Sequence, residues 1–311
     1  MNAITNSLLA LSLLLQSLLG TQGVGGKLST KLHSLIQTPL PKVQKVTYQS
    51  SPKTVIAIKK PGSSDYIGSA SAAEIYDVSS GRVLYGKNTT DKLPMASLTK
   101  ITTVLTLLQN HHNLDEIITI PDNLPPLQAA DQKIGITPGE QFTLRDLLKA
   151  TLIYSANDAA NALAIWDAGS IDNFAEKMNT QASKWELKNS QYKNPTGLDA
   201  EGHYSTTEDL VTLSSILLKS PQVRETVNTP KTSITSQAGK TYTLTTTNKD
   251  LALPTIYGIK TGQTDLAGEC LILLGRNKAG HEIITVVLHS PNRFLESQNM
   301  VNYAFNSYIW Q

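Results

Sequence analysis

The residues best suited to do chemistry in this chain sit in PMASLTK, residues 94–100, where Lys100 follows Ser97 by three places. Leu98, Ile101, Val104, Leu105 and Leu108 continue at helical spacing, which puts Ser97 at or near the first turn of a helix. On a helix, positions i and i+3 are neighbours, so the amine of Lys100 can reach the hydroxyl of Ser97. The same helix start offers free amides and a partial positive charge to a developing oxyanion. A lysine acts as a base only when neutral, and burial beside a second cation lowers its pKa; Lys260 is the candidate for that cation. Spacing alone is weak support, because the pattern recurs at Ser50/Lys53 and at Ser190/Lys193, where no helix begins.

Two further segments carry complementary groups. Ser155-Ala156-Asn157 interrupts a helical region with a hydroxyl and an amide, which suit proton relay and the holding of a peptide carbonyl. Lys260-Thr261-Gly262 ends a strand-like run, where a cation and a hydroxyl can bind a carboxylate. Gly262, lacking a side chain, lets a substrate backbone approach the strand.

The elements that must position these groups can be read from pattern. Residues 69–86 form two β-prone runs around Ser79-Ser80-Gly81, a hairpin. Thr143-Leu-Arg-Asp146 has the form of a capping box and opens a helix running toward Leu152. Further helices are expected over 170–184 and over 205–218, the latter opened by Ser-Thr-Thr-Glu. From about Thr241 the chain turns β-like: YTLTTTN, IYGIKTG, CLILLG and IITVVLH. The short polar link 277–280 makes the last pair antiparallel. A helix over 292–309 closes the pattern. The expected class is α+β, with an antiparallel sheet formed by the N- and C-terminal parts of the domain, flanked by helices, and a mainly helical middle region.

Outside this body, Met1 to Leu19 is leucine-rich, and residues 1–22 read as a signal peptide or N-terminal membrane anchor. No lysine or arginine precedes the apolar run and no A-x-A site follows it, so cleavage stays open. Residues 23–67 read as a flexible basic spacer, with one short strand allowed at TVIAI, 54–58, and residues 68–311 as the catalytic domain. The formal charge of +2 divides unevenly. Residues 1–64 hold seven lysines and no acid, which leaves 20 basic against 25 acidic residues, −5, in the remainder. A mildly acidic body with dispersed basic residues argues against nucleic acid as a partner. The single cysteine, Cys270, forms no internal disulfide and reads as a buried, inert thiol in an apolar strand. The six histidines show no zinc-like spacing, and neither a metal nor a cofactor is expected. His111-His112 reads as a solvated helix cap, His203 as a structural hydrogen-bonding residue, and Asp158 as a helix-start charge.

Taken in order, Ser97-Leu-Thr-Lys100, Ser155-Ala-Asn157 and Lys260-Thr-Gly262 resemble the three motifs of penicillin-binding proteins and serine β-lactamases. PMASLTKITT, FTLRDLL, SANDAANALA, NPTGLDAEGHYST, GIKTGQTDLAGECL and PNRFLES extend the resemblance over roughly residues 68–311, to low-molecular-weight serine-type D-alanyl-D-alanine carboxypeptidases. The resemblance implies that Ser97 attacks the carbonyl between the terminal D-alanines of a peptidoglycan stem peptide, with Lys100 as base. Ser155 and Lys260 then share proton traffic to the leaving amine, and Asn157 completes the second motif. It implies an oxyanion hole at the amides of Ser97 and Gln263, and carboxylate binding by Thr261 and Arg293. Ala156 stands where class A β-lactamases carry Asp, and no segment resembles their loop glutamate. That implies covalent penicillin binding without efficient hydrolysis. The implied place of action is extracytoplasmic, secreted or N-terminally anchored, with any membrane attachment made through the N-terminal segment because the chain stops at Gln311. A D,D-endopeptidase of the same fold, a non-catalytic penicillin-sensing or wall-binding protein, and a structural anchor are the alternatives.

Overall fold

The computed structural model describes residues 55–111 and 113–311. The expectations for residues 1–22, for most of 23–67 and for His112 lie outside the described residues. Of the spacer, 55–67 is described. Ala57–Lys59 forms β1, shifted slightly from the expected TVIAI, and pairs antiparallel with β11, Tyr308–Trp310. Tyr66 packs edge-on to Tyr85 at a ring separation of 5.0 Å, so the folded body takes in residues that sequence pattern assigned to the spacer.

The hairpin is present as β2, Ala72–Asp77, and β3, Arg82–Lys87. The C-terminal strands are β8, Ile256–Thr264, β9, Gly268–Arg276, and β10, Glu282–Ser290. They join the hairpin in one antiparallel sheet of order β3-β2-β10-β9-β8. Pairing of β2 with β10 is where the two ends of the body meet. Along β9 the side chains alternate between two cores, because successive strand residues point to opposite faces. Leu271 and Leu273 pack with Met300, Val301 and Ala304 of α7, Arg293–Ser307. Cys270, Ile272 and Leu274 face the helical body. The α+β class is the one expected, and the near-continuous apolar runs CLILLG and IITVVLH reflect burial on both faces.

The helical body consists of α1, Thr99–Asn110; α2, Leu144–Lys149; α3, Asn157–Ala168; α4, Ile171–Lys184; α5, Thr207–Leu217; and α6, Pro221–Val227. Two small antiparallel pairs, β4 Ile117–Thr119 with β5 Gln141–Thr143 and β6 Lys231–Thr235 with β7 Thr241–Thr245, complete it. Both expected capping boxes are corrected in detail. Thr143 Oγ1 accepts from the Asp146 amide, but the Asp146 carboxylate meets Lys149 rather than returning to the cap. At α5 the cap is Thr206, which accepts from the Asp209 amide, one residue later than Ser205. Among the described residues no helix is long and apolar enough to cross a membrane.

Candidate active site

Ser97 occupies a single 3-10 turn, Ala96–Leu98, that leads directly into α1. Two glycines hold this turn from opposite sides. Gly197, at φ +84°, approaches so closely that a Cβ there would lie 1.9 Å from the Ala96 carbonyl oxygen. A Cβ on Gly262 of β8 would lie 2.9 Å from the Met95 carbonyl oxygen and 3.1 Å from the Ser97 amide nitrogen. Ala96 itself takes φ +49°, uncommon outside glycine, which aims the turn between strand and loop. Ser97 remains half-exposed while the lysine behind it is fully buried.

Lys100 Nζ lies 2.8 Å from Ser97 Oγ, 2.6 Å from Asn157 Oδ1 and 2.7 Å from the Thr196 carbonyl oxygen. Two of these partners only accept, and the third is a hydroxyl that can donate. That set fits a neutral amine, which donates two hydrogens and accepts one. Burial pushes the Lys100 pKa well below 10.5, and the charge of Lys260 pushes it further; Asp131 and Asp158 pull the other way without reversing it. When the amine is neutral, Lys100 Nζ is placed to take the hydroxyl proton of Ser97.

The second motif depends on a local break in helix geometry. After α2 the chain winds a π turn, Ala150–Tyr154, and Ser155 then adopts a left-handed conformation at φ 65°. The Ala150 carbonyl accepts from the amides of both Ser155 and Ala156. Thr151, whose hydroxyl donates back to the Leu147 carbonyl, contributes to the bend. The turn aims Ser155 at Lys260, with 2.8 Å between Oγ and Nζ. Lys260 Nζ also donates to the Thr261 carbonyl, at 2.9 Å. Burial, and next the neighbouring Arg293, lowers the Lys260 pKa to about 7. A pKa of about 7 lets Lys260 both hold and deliver a proton near neutral pH.

The expected residues thus form two contacting groups, Ser97 and Asn157 on Lys100 and Ser155 on Lys260. Thr261 is buried and its hydroxyl lies 2.6 Å from that of Thr247. Gln263 is exposed near the end of β8. Arg293 starts α7 and reaches the same strand, its Nη1 donating to the Gly262 carbonyl at 2.7 Å.

Sequence reasoning missed the carbonyl of Thr196, and its signal was Asn194-Pro-Thr-Gly197. Asn194 Oδ1 accepts from the Thr196 amide, the Thr196 hydroxyl and the Gly197 amide, closing a tight turn. A threonine face on α1 fixes that turn: Thr103 donates to the Pro195 carbonyl and Thr102 to Tyr192 Oη. Thr99 Oγ1 meets His203 Nε2 at 2.8 Å, while His203 Nδ1 accepts from the Lys193 amide. The amide makes Nε2 the protonated nitrogen, and burial lowers the His203 pKa to about 4, so the ring is neutral and structural as expected. Asp158 does more than begin α3. Its Oδ2 accepts from the amides of Ile134, Gly135 and Ile136, which fastens the loop that also takes the Asn157 amide through the Gln132 carbonyl. His111 is likewise not a solvated cap, because its Nε2 meets Asp167 at 2.8 Å and its ring lies against Trp166. Cys270 is buried with its thiol pushed up to about 11 by burial, which suits an inert role. Among the described residues no cluster of metal-ligating side chains occurs. A cavity of about 380 Å³, lined by Val104, Leu108, Leu148, Leu152 and Val223, contains none of the motif residues.

Comparison with known proteins shows the family and the fold. The family model described as D-alanyl-D-alanine carboxypeptidase, peptidase S11, matches residues 59–292, and the chain belongs to that family. It is 34% identical over 248 residues to the D-alanyl-D-alanine carboxypeptidase DacF of Bacillus subtilis, covering 77% of this chain and 63% of that relative. The chain thus spans somewhat less than two thirds of that relative's length. The solved Streptomyces K15 DD-transpeptidase superposes with a TM-score of 0.72 at 27% identity, over 78% of this chain and 99% of that one. Penicillin-binding protein D2 of Listeria monocytogenes, solved in its ampicillin-bound form, gives 0.66 at 31% identity, over 78% and 100%. The fold is that of these DD-peptidases.

Proposed function

We propose that this chain, as a member of the D-alanyl-D-alanine carboxypeptidase family, removes the terminal D-alanine from peptidoglycan stem peptides through an acyl-enzyme on Ser97, and that β-lactams acylate the same serine. The observation that carries the reading is the partner set of Lys100 Nζ, two acceptors and the Ser97 hydroxyl, around an amine whose charged form burial disfavours.

Ser97 Oγ attacks the carbonyl between the two D-alanines while its proton passes to Lys100 Nζ. The amides of Ser97 and Gln263 face the oxyanion, one at the start of a helix and one on β8. The departing amine takes a proton delivered through Ser155 Oγ and Lys260 Nζ, and the C–N bond breaks. Water then adds to the acyl carbon, its proton passing to the Ser155/Lys260 pair that gave one to the amine, and the ester to Ser97 breaks as Lys100 returns a proton to Ser97 Oγ. Thr261 and Arg293 meet the terminal carboxylate, an anion in a site that otherwise presents Lys100, Lys260 and Arg293. Ala156 stands where class A β-lactamases carry Asp, and no segment resembles the loop glutamate that activates their deacylating water, so the penicilloyl-enzyme should persist. The substrate places the site of action outside the cytoplasmic membrane.

The test is release of D-alanine from diacetyl-L-Lys-D-Ala-D-Ala by the wild-type chain and by Ser97→Ala. Release by the first and not by the second is expected. Equal release by both would overturn the assignment, and cleavage of cross-linked stem peptides in place of this substrate would move the reading to an endopeptidase.

A further inference from the structure

Thr247 lies outside the three motifs, in the loop after β7, yet it bonds to the third motif and to the π turn that leads into the second. Its amide donates at 3.3 Å to the Ile153 carbonyl in the π turn that presents Ser155. Its hydroxyl oxygen lies 2.6 Å from that of Thr261, next to Lys260 on β8. Thr247 is half-exposed, so it is open to an incoming group as well as to its partner.

A count of donors shows what such a pair can do. Two hydroxyls carry two protons; one lies between the oxygens and the other is free. The nearby charged donors are partly committed. Lys260 Nζ serves Ser155 Oγ and the Thr261 carbonyl, and Arg293 Nη1 serves the Gly262 carbonyl. Arg293 Nε is buried with no partner among the described residues. A carboxylate presents two acceptor oxygens side by side and gains most from one donor on each. Neighbouring hydroxyls 2.6 Å apart match that demand, with the cations supplying charge rather than aim.

We propose that Thr247 is a specificity-determining residue, the second hydroxyl of the terminal-carboxylate site, donating to one carboxylate oxygen while Thr261 donates to the other. The inference rests on the carboxypeptidase reading above and deepens it. Without substrate the two hydroxyls satisfy each other. On binding, their shared neutral bond is exchanged for two charge-assisted ones, which are stronger. The chemistry selected is a free α-carboxylate at the end of the peptide, or the equivalent carboxylate of a β-lactam.

The test compares full-length wild type, Thr247→Val and Thr247→Ser. Valine keeps the shape and removes the hydroxyl, and serine restores it. For diacetyl-L-Lys-D-Ala-D-Ala, Thr247→Val should raise KM about tenfold to a hundredfold, the loss of one hydrogen bond to a charged group, with a smaller change in kcat. Benzylpenicillin acylation should slow by a similar factor, and Thr247→Ser should recover most of both. The matching peptide ending in a carboxamide, a poorer substrate for wild type, should be turned over equally by wild type and Thr247→Val. A merely structural role would depress both peptides together and lower the unfolding midpoint. That pattern, or an unchanged KM for the acid, would overturn the proposal while leaving the carboxypeptidase reading intact. If wild type itself neither releases D-alanine nor takes up penicillin, the reading fails and the proposal with it.

Discussion

Replacing Lys260 by methionine should make the protein more stable while abolishing its activity. Lys260 is 1% exposed, and burial with Arg293 nearby lowers its pKa from 10.5 to about 7. At about 1.4 kcal/mol per pH unit, that gap corresponds to about 5 kcal/mol of folding free energy set against the native state at pH 7. Methionine fills a similar volume without charge. It also removes the donor to Ser155 Oγ and to the Thr261 carbonyl, a loss of about 1–3 kcal/mol. The net gain is about 2–4 kcal/mol, or roughly 4–16 °C in Tm for a domain of this size. The pH dependence supplies the sharper check. The unfolded lysine binds its proton up to about pH 10.5 and the folded one only to about 7, so the wild type gains stability as pH rises through that window. The advantage of Lys260→Met should be full below pH 7, shrink above it, and reverse before pH 10.5, where only the lost hydrogen bonds remain. Urea unfolding at pH 7 and pH 10 measures it. A variant no more stable than wild type at pH 7, or an advantage that does not shrink by pH 10, would refute the argument that Lys260 is held against a desolvation penalty for the sake of catalysis.

Other consequences follow from particular contacts. Gly197→Ala should lower stability by about 2–4 kcal/mol in a thermal melt, because its Cβ meets the Ala96 carbonyl and its φ of +84° disfavours a side chain; penicillin acylation should slow as well, since the Thr196 carbonyl moves with it. Asp158→Ala leaves the amides of Ile134, Gly135 and Ile136 without their acceptor and should cost about 2–4 kcal/mol, with amide exchange accelerating first in that loop. Acylation by penicillin should fall on the acid side as Lys100 takes up a proton, with a midpoint well below 10.5 because burial and Lys260 disfavour its charge. An acylation rate still climbing steeply between pH 9 and 11 would contradict a neutral Lys100.

Much of this arrangement was legible in the sequence because local signals and chemistry coincide. The hairpin of β2 and β3 announced itself through Ser79-Ser80-Gly81, and the α1 register through its apolar spacing. The three motif segments marked the residues of both contacting groups, Ser97, Lys100 and Asn157 and then Ser155 and Lys260. What escaped was long-range or carried by the backbone. The Thr196 carbonyl has no side-chain signature, and only the Asn194-to-Gly197 turn hinted at it. β11 is a three-residue strand whose partner, β1, lies some 250 residues earlier, so no periodicity identifies it. Thr206 and Ser205 are equally good caps by residue type, and the isolated bridge of Ser205 with Leu93 holds Ser205 outside the helix. Asp158 looked like a helix-start charge because the three amides it gathers lie more than twenty residues earlier.

The most direct test of the central claim is to treat the full chain with benzylpenicillin, digest it, and locate the adduct by mass spectrometry. The account predicts a penicilloyl group on the peptide containing Ser97, absent in Ser97→Ala and strongly slowed in Lys100→Met although that variant stays folded. An adduct on another residue, or one that forms as fast in Lys100→Met as in wild type, would contradict Ser97 as the nucleophile activated by a neutral Lys100.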